Sequence, residues 1–259
     1  DYPPVKEGRV WFTENEAYIF PGPRRTFGPA EFEEYRWFTS NLRLLQMRRN
    51  WVWIKKEACF KWPEITRYMQ LSLGKTPETS LEGFCNLREG YIHIKEGEKN
   101  IGDRPVKNFE RWVRQRDIEP DGQTKPVIKF DISHLHQWAS ARGYEYKARS
   151  TNLSKGQKSI YFDVSDEWFD KPQDIQLFVT FLDSMETTWQ IVYPGEEDIL
   201  STPKVSVGNS GEWKTAVFRI PDFNPHGTLP NNMDFKITVT GNNDGIFRLV
   251  RVTKWNNLN

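Results

Sequence analysis

Residues 213–220 read WKTAVFRI, and the alternation in this stretch is typical of a β-strand. In an extended strand, Trp, Thr, Val and Arg fall on one side, and Lys, Ala, Phe and Ile fall on the other. Six further runs with period-two patterning or strong β-propensity surround it, separated by turns rich in Pro, Gly, Asn and Asp. They are 159–164 (SIYFDV), 175–182 (IQLFVTFL), 187–193 (TTWQIVY), 204–207 (KVSV), 234–239 (DFKITV) and 246–255 (IFRLVRVTKW). Seven such runs predict an antiparallel β-sandwich or jelly roll.

Length and charge set the broad class. A chain of 259 residues fits one large domain or two modest ones. Its 36 Lys and Arg balance 35 Asp and Glu, so its charge favours neither a nucleic-acid nor a membrane-surface partner. No apolar stretch approaches the ~20 residues needed to cross a bilayer. The start at Asp1, without an initiator Met or a leader, suggests a processed piece of a longer protein.

Aromatic residues are unusually frequent. The chain holds 11 Trp, 17 Phe and 9 Tyr, and most of these rings are expected in the core, where large apolar surfaces stabilise a fold. Because 11 Trp exceed what a core of this size usually holds, some are expected on a face that meets a ligand. An aromatic-rich sandwich commonly supports a sugar-binding surface, so the composition favours recognition over catalysis.

The first hundred residues have a different pattern, with helical spacing and one short apolar run. The second helix is predicted to begin at Pro63 and to end before Gly74, which suits both residues. The expected order of helix, buried strand, helix and helix corresponds to residues 31–47, 51–54, 63–73 and 81–88. We therefore predict an α/β or helical region over residues 1–100 and a sandwich over residues 101–259.

The sandwich is expected to begin after a polar, Gly-containing junction at residues 95–105. Residues 106–116 predict a strand with a bulge, and residues 124–132 and 143–149 predict two more strands. These would extend the sandwich to about nine strands.

Several motifs of the second half resemble a known type of module. It is the C-terminal β-sandwich appended to bacterial polysaccharide-degrading enzymes, notably those of gut and marine Bacteroidetes. The matching residues are 112–117 (WVRQRD), 148–149 (AR), 160–164 (IYFDV), 211–218 (GEWKTAVF), 220–222 (IPD) and 234–237 (DFKI). This resemblance implies a carbohydrate-binding-module-like sandwich and a polysaccharide or oligosaccharide partner.

The first region resembles the last strand–helix units of a glycoside hydrolase (β/α) barrel. The matching residues are 35–45 (YRWFTSNLRLL), 50–57 (NWVWIKKE) and 62–76 (WPEITRYMQLSLGKT). A complete barrel needs eight units in about 250 residues, more than precede the junction here. Either the rest of the barrel lies on another segment, or these residues serve as a small helical cap. The resemblance implies a secreted, periplasmic or cell-surface bacterial protein, and this chain alone is not expected to be catalytic.

One catalytic carboxylate is suggested. Glu57 follows the strand at residues 51–54, and catalytic groups of (β/α) barrels lie at the C-terminal ends of strands. Glycoside hydrolysis needs two carboxyl groups, and only Glu14 and Glu16 offer a partner, by proximity in sequence. The alternative for Glu57 is a surface carboxylate paired with a neighbouring lysine.

Binding residues are predicted in both regions. Trp51 and Trp53 point to the same side of a strand, where they would either line a sugar subsite or pack in the core. In the sandwich, rings near turns and strand ends, with adjacent carboxylates and amides, would form a binding rim, unless the rings serve the core. The members of this rim are Trp168, Phe169, Asp183, Glu186, Trp189, Asn231 and Asn232. Trp213 is assigned to the structure of its strand.

No cofactor is expected, with one exception. Asp163, Asp166 and Asp244 lie in acidic turns near the first and last strands of the seven, and oxygen-rich loops of jelly rolls often hold a structural Ca²⁺. Ordinary turn chemistry explains the same residues equally well. Cys59 and Cys85 are too few for a disulfide framework, which leaves free thiols or a single bridge.

These observations predict carbohydrate recognition, or support of a catalytic barrel, by the C-terminal part of a glycoside-hydrolase-like protein. Two alternatives stay open. The chain would be a segment of an active hydrolase, with Glu57 in its site, or the sandwich would bind a protein and no sugar.

Overall fold

The structure is a computed structural model of the chain, and it describes residues 12–15, 30–54, 56–88, 90–92, 104–106, 108–118, 124–129 and 144–255. The contacts among these residues define two compact units, one ending at Ser80 and the other beginning at Leu81. Within the described residues, no helix is both long and apolar enough to cross a membrane.

The first unit is built on a strand–helix–strand motif. Strand β1 (Phe12–Asn15) pairs in parallel with β2 (Trp51–Ile54), and helix α1 (Ala30–Gln46) connects them. Helices α2 (Lys56–Lys61) and α3 (Pro63–Ser72) follow. The predicted helices at residues 31–47 and 63–73 are confirmed, whereas α2 was not predicted.

Local chemistry explains α3 and its packing. Pro63 occupies the first turn, where its missing N–H costs no helical hydrogen bond, and Gly74 takes a φ of +66° just beyond the helix. Trp62 stacks on Trp37 with ring centroids 6.3 Å apart, and both rings pack with Ile65 in a small core.

The second unit is almost entirely β-structure. Its strands are β3 (Glu82–Asn86), β4 (Gly90–Ile92), β5 (Arg104–Val106), β6 (Phe109–Arg111), β7 (Val113–Arg116), β8 (Lys125–Lys129), β9 (Tyr144–Ser150), β10 (Ser159–Val164), β11 (Gln173–Leu182), β12 (Thr187–Pro194), β13 (Ile199–Ser201), β14 (Val205–Val207), β15 (Trp213–Phe223), β16 (Phe235–Val239) and β17 (Ile246–Lys254). Two short 3₁₀ helices, Leu153–Lys155 and Pro230–Asn232, lie between them. All seven strands predicted between residues 159 and 255 are present.

The strands form two antiparallel layers. One layer has the order β7–β10–β16–β12, with β13 and β14 paired to β12. The other has the order β6–β3–β17–β11–β15, and β9 continues from one end of β17 to pair with β8 and β4, which in turn pairs with β5. The predicted β-sandwich is confirmed.

A single residue carries the chain from one layer to the other. Trp112, with φ of +62°, separates β6 from β7, and its irregular backbone turns the strand. The β-structure predicted within residues 106–116 is present, but as the separate strands β6 and β7 and not as one strand with a bulge. Between the layers lies one continuous aromatic and aliphatic core, to which nearly every long strand contributes.

The structure corrects one prediction of secondary structure. Residues 81–88 were predicted to be helical, but β3 is a strand held between β17 and β6. Pairing on both sides provides hydrogen bonds that outweigh the helical preference of this short segment. Consequently β3 belongs to the sandwich, although the predicted division at residue 100 placed it in the first region.

Candidate functional site

The candidate site is the side of the β11, β15 and β17 sheet that points away from the core. Along β11, exposure alternates residue by residue, so that Phe181 is buried while Phe178 and Thr180 are partly exposed. We call the outward side chains of these strands, with the adjoining Trp255, the outer face. Its members are Gln176, Phe178, Thr180, Leu182, Trp213, Thr215, Val217, Arg219, Arg248, Leu249, Arg251, Thr253 and Trp255.

The strand register arranges the outer face in rows. Directly opposed residues on antiparallel strands point to the same side, so each row brings together side chains that are distant in sequence. The three complete rows, written from β15 through β11 to β17, are Thr215–Thr180–Leu249, Val217–Phe178–Arg251 and Arg219–Gln176–Thr253. Trp213 and Leu182 form the last row at one end.

Each of three aromatic rings on the outer face is in contact with the guanidinium group of an arginine. The guanidinium carbon of Arg248 lies 4.3 Å from the ring centroid of Trp213. The corresponding distances are 4.2 Å for Arg251 on Phe178 and 4.1 Å for Arg219 on Trp255. At these distances, the ring quadrupole attracts the cation and holds the planar group in place.

The two outer pairs connect strands that are not neighbours. Arg248 belongs to β17 and Trp213 to β15, with β11 between them. At the other end, Arg219 of β15 meets Trp255, which directly follows β17. The outer face is therefore bounded at both ends by a ring–guanidinium contact that reaches over the central strand.

Hydroxyl and carboxylate groups lie between these ends. The hydroxyl oxygens of Thr180 and Thr215 are 3.0 Å apart on the exposed surface. Thr253 donates a hydrogen bond to Glu82 of β3 over 3.2 Å, and Nε of Arg251 lies 4.0 Å from the same carboxylate oxygen. The face thus combines apolar rings with groups that both donate and accept hydrogen bonds.

The tryptophans predicted to form a rim lie in the core instead. Trp189 is 0% exposed and meets Phe181 and Phe247 edge to face, both with ring centroids 5.3 Å away. Trp168 is also fully buried, against Phe169. Their assignment to a ligand-binding rim is wrong, because the parity of Trp189 in its strand and the turn before β11 direct both rings inward.

The amides of the predicted rim lie elsewhere in the sandwich. Asn231 and Asn232 are exposed in the 3₁₀ helix that precedes β16, with φ of 56° and 59°. Leu229 and Met233, which flank them, pack on Tyr161 of β10 in the opposite layer. The structure therefore does not bring these amides to the outer face, and their positive φ values explain Asn at both positions.

Asp183 is a structural anchor. Its carboxylate accepts hydrogen bonds from the backbone N–H of Gly208 at 2.5 Å, from the hydroxyl of Ser210 at 2.6 Å and from Nζ of Lys214 at 2.5 Å. The hydrogen bonds from Lys214 and Ser210 hold the pKa of Asp183 well below its usual range. The carboxylate thus holds the loop before β15, where Trp213 begins the outer face.

The predicted calcium ligands are not gathered into one site. Asp163 pairs with Arg114 at 3.7 Å, and Asp166 is exposed. Both lie near the buried Asp234, whose carboxylate accepts the backbone N–H of Val164 at 2.6 Å. Burial, opposed by backbone hydrogen bonds and reinforced by the two neighbouring aspartates, raises the pKa of Asp234 to about 7.

Asp244 has other partners. Its oxygens accept hydrogen bonds from Nζ of Lys125 at 2.7 Å, from the hydroxyl of Thr151 at 2.9 Å and from the N–H of Leu153 at 2.8 Å. Burial alone would raise its pKa, but these bonds together lower it. In the part of the chain that the structure describes, no three His, Cys, Asp or Glu side chains are placed to hold a metal. Among the described residues, the three predicted ligands therefore do not form one site, and the structural Ca²⁺ stays a prediction.

The remaining predicted site residues belong to the first unit. Trp51 is 47% exposed on β2, so the run that contains it is not covered on both faces as predicted. The side chains of Trp53, Glu57 and Glu14, and all of Glu16, lie outside the described residues. The catalytic role of Glu57 and the subsite role of Trp53 stay predictions.

Both cysteines are free thiols. Cys85 is fully buried in the core, and burial raises the pKa of its thiol well above the usual value. Cys59 is partly buried in α2.

Sequence reasoning missed most of the outer face. The alternation of residues 213–220 is confirmed, because Ala216 and Phe218 pack against the core while Thr215 and Val217 face outward. Trp213 was assigned to structure alone, yet its ring is partly exposed beneath Arg248. The signal was present in the sequence, since the side of the strand that carries Thr and Arg is the one that faces solvent.

No protein-family model matches the chain, and no curated protein is similar enough to count as a relative. Solved structures that are similar to it include carbohydrate-binding modules. One is the family 22 binding module and family 10 module of a Clostridium thermocellum endo-1,4-β-D-xylanase with xylohexaose: 14% identity, 57% of this chain, 27% of that chain and a TM-score of 0.34. The family 6 module of a Cellvibrio mixtus lichenase with cellotriose has 8% identity over 53% of this chain and 89% of that one, with a TM-score of 0.26.

A third is the C-terminal family 6 module of a laminarinase from Zobellia galactanivorans. It has 12% identity over 55% of this chain and 99% of that one, with a TM-score of 0.26. The chain thus spans about a quarter of the xylanase structure and nearly all of the laminarinase module. At these identities and TM-scores, the similarity carries no argument about function, which rests on the geometry of the outer face.

Proposed function

We propose that the second unit recognises carbohydrate, and that the outer face is its binding surface. The observation that carries the proposal is the presence of three aromatic rings, those of Phe178, Trp213 and Trp255, on the outer face. The same face also presents hydroxyl, amide and guanidinium groups. A sugar ring has apolar C–H faces and a hydroxyl edge, so it needs flat apolar contacts and hydrogen-bonding groups together.

The core does not need these rings. Trp168, Trp189 and the phenylalanines around them already fill the space between the layers. Val217, which is 49% exposed, adds apolar surface at the centre of the outer face. Exposed apolar groups that are grouped with polar ones mark binding sites more often than scattered ones do.

Affinity electrophoresis of the chain through gels that contain different polysaccharides tests the proposal. We expect at least one polysaccharide to retard the chain, and we expect Trp213→Ala to weaken that interaction about tenfold or more, as loss of an aromatic contact with the ligand does. Phe60→Ala is the matched control, because Phe60 is an exposed ring of the first unit. Circular dichroism would check that both variants keep the wild-type fold.

The possible results separate the alternatives. Binding that is lost in Trp51→Ala but kept in Trp213→Ala would place the subsite in the first unit and contradict our assignment. If no polysaccharide retards the chain, the sandwich is a protein-interaction or bracing module instead.

We also propose that the chain is the C-terminal part of a secreted, periplasmic or cell-surface bacterial glycoside-hydrolase-like protein. The parallel pairing of β1 with β2 across α1 supports this proposal, because that motif is the repeating unit of a (β/α) barrel. The test is the sequence encoded before Asp1, where further strand–helix units are expected. Release of reducing sugar by the chain, abolished in Glu57→Gln, would favour the active-hydrolase alternative.

A further inference from the structure

We infer that the carbohydrate bound at the outer face is anionic, with carboxylate or sulfate groups along the sugar chain. This inference rests on the proposed function and specifies its ligand. It depends on the charge of the outer face, on how the arginines are held, and on how far apart they lie.

The outer face has a local excess of positive charge. The side chains defined above as the outer face include Arg219, Arg248 and Arg251 and no carboxylate, and Glu82 of the adjoining β3 lies beside Arg251 and Thr253. The chain as a whole carries a net charge of only +1, so this excess is a property of the face and not of the protein. A neutral glycan would not require it.

Several arginines and lysines elsewhere in the second unit form ion pairs with carboxylates. Representative pairs are Arg116–Glu110 at 3.2 Å, Arg149–Asp117 at 3.3 Å, Lys125–Asp244 at 2.7 Å and Lys214–Asp183 at 2.5 Å. Arg219 differs, because it is exposed and forms no ion pair with any described residue. Its contact is the ring of Trp255, which holds the cation without neutralising it.

Contact with a ring also restricts the movement of each arginine. A guanidinium group that lies over a ring keeps its N–H donors in the plane of the group, at its edge. This edge matches the paired oxygens of a carboxylate or a sulfate, and such charge-assisted bonds are about twice as strong as neutral ones. The ring contacts thus hold the guanidinium groups in place before an anion binds.

The spacing favours a polymer over a small anion. Trp213, beneath Arg248, and Arg219 are six residues apart on β15, which corresponds to about 20 Å along a strand. Arg251 lies between them, opposite Val217 and Phe178. An extended chain with repeated charges would reach all three arginines, whereas a single phosphate or carboxylate would reach only one.

A matched pair of polysaccharides tests the inference. Polygalacturonate and its fully methyl-esterified form share one backbone and differ in charge, a sulfated galactan supplies sulfate in place of carboxylate, and polyglutamate is a polyanion without sugar. Affinity electrophoresis would be run for the wild-type chain, Arg219→Gln and Arg219→Lys. Arg114→Gln is the control, since it removes the same charge from a residue of β7 in the other layer.

We expect an acidic or sulfated polysaccharide to bind at least about tenfold more tightly than the methyl ester, and polyglutamate to bind weakly. Arg219→Gln should remove about tenfold of that affinity, because it deletes a charge-assisted hydrogen bond to the anion. Arg219→Lys should restore only part of the loss, and Arg114→Gln should have no effect.

Any one of the following results would overturn the inference. Equal binding of ester and acid, or binding of neutral glycans alone, would leave the carbohydrate proposal intact but make the anionic ligand wrong. Equal binding of polyglutamate would show general attraction of polyanions. An effect of Arg114→Gln as large as that of Arg219→Gln would also show that the chain attracts polyanions in general. If no glycan of either kind binds, the proposed function itself fails.

Discussion

Trp189 and Trp213 lie on strands of different layers of the sandwich and have opposite environments: Trp189, on β12, points into the core, and Trp213, on β15, points away from it. Trp189 is enclosed by Phe181, Phe218 and Phe247 at edge-to-face distances of 5.3–5.8 Å. Trp213 lies on the outward side of the β11, β15 and β17 sheet, beneath a guanidinium group. The parity of a tryptophan in its strand, and not its nearness to a turn, thus decides whether its ring is buried in the core or faces outward.

The largest expected effect is on the inner side. Trp189→Ala should lower the free energy of unfolding by about 3–5 kcal/mol, because it removes a fully buried ring and leaves a cavity among three others. Chemical denaturation measures this loss. If the variant does not fold, Trp189→Phe provides a milder change in the same direction. A loss below ~1 kcal/mol would contradict the core role of Trp189.

A change of pH should act on the interior of the sandwich and leave the outer face unchanged. The folded-state pKa of Asp234, about 7, lies above the unfolded value near 3.8, so neutral Asp234 adds stability that is complete below that lower value. This contribution is lost as the pH rises through about 7, by at most ~1.4 kcal/mol per pH unit. Arginines keep their charge throughout this range, so binding by the folded chain should not follow the same curve.

Denaturation of the wild-type chain and Asp234→Asn from about pH 4 to pH 8 measures this effect. The stability difference between the two proteins should shift against the wild type as the pH rises, because Asn does not titrate. Asp183 and Asp244 act in the opposite sense, since their pKa values are lowered, and their contributions are lost in acid. A difference that stays constant with pH would show that Asp234 does not titrate in this range.

A smaller effect is expected at Gly83, where β3 passes the buried ring of Trp168. A Cβ atom at this position would lie 2.7 Å from Cζ3 of Trp168 and 3.0 Å from the carbonyl oxygen of Arg111. Gly83→Ala should therefore cost about 1–3 kcal/mol of unfolding free energy through overpacking. Thermal unfolding measures this cost, and the folded variant should bind polysaccharide as the wild type does. An unchanged midpoint would show that the ring moves aside without strain.

The sequence allowed the architecture to be predicted well and the site poorly. Period-two alternation identifies β11 and β15 by themselves, so the sandwich followed from residues 175–182 and 213–220. The helix prediction at residues 81–88 failed because the partners of β3 lie far away, in β17 and β6. Alternation alone also does not state which side faces the core.

The outer face could not be predicted without the strand register. Arg251 meets Phe178 only because β17 pairs with β11, and Arg219 meets Trp255 only across that strand. No local pattern of residues predicts such contacts. Trp168 and Trp189 were chosen because they lie near turns, and that signal is weaker than the parity of a strand.

The most direct test compares one inner and one outer ring by the same two measurements, the polysaccharide affinity of the folded chain and its free energy of unfolding. We predict that Trp213→Ala loses about tenfold or more in affinity and little stability, whereas Trp189→Phe loses stability and keeps the affinity of the fraction that is folded. If Trp213→Ala bound as tightly as the wild type to a polysaccharide that retards the chain, the outer face would not be the binding surface.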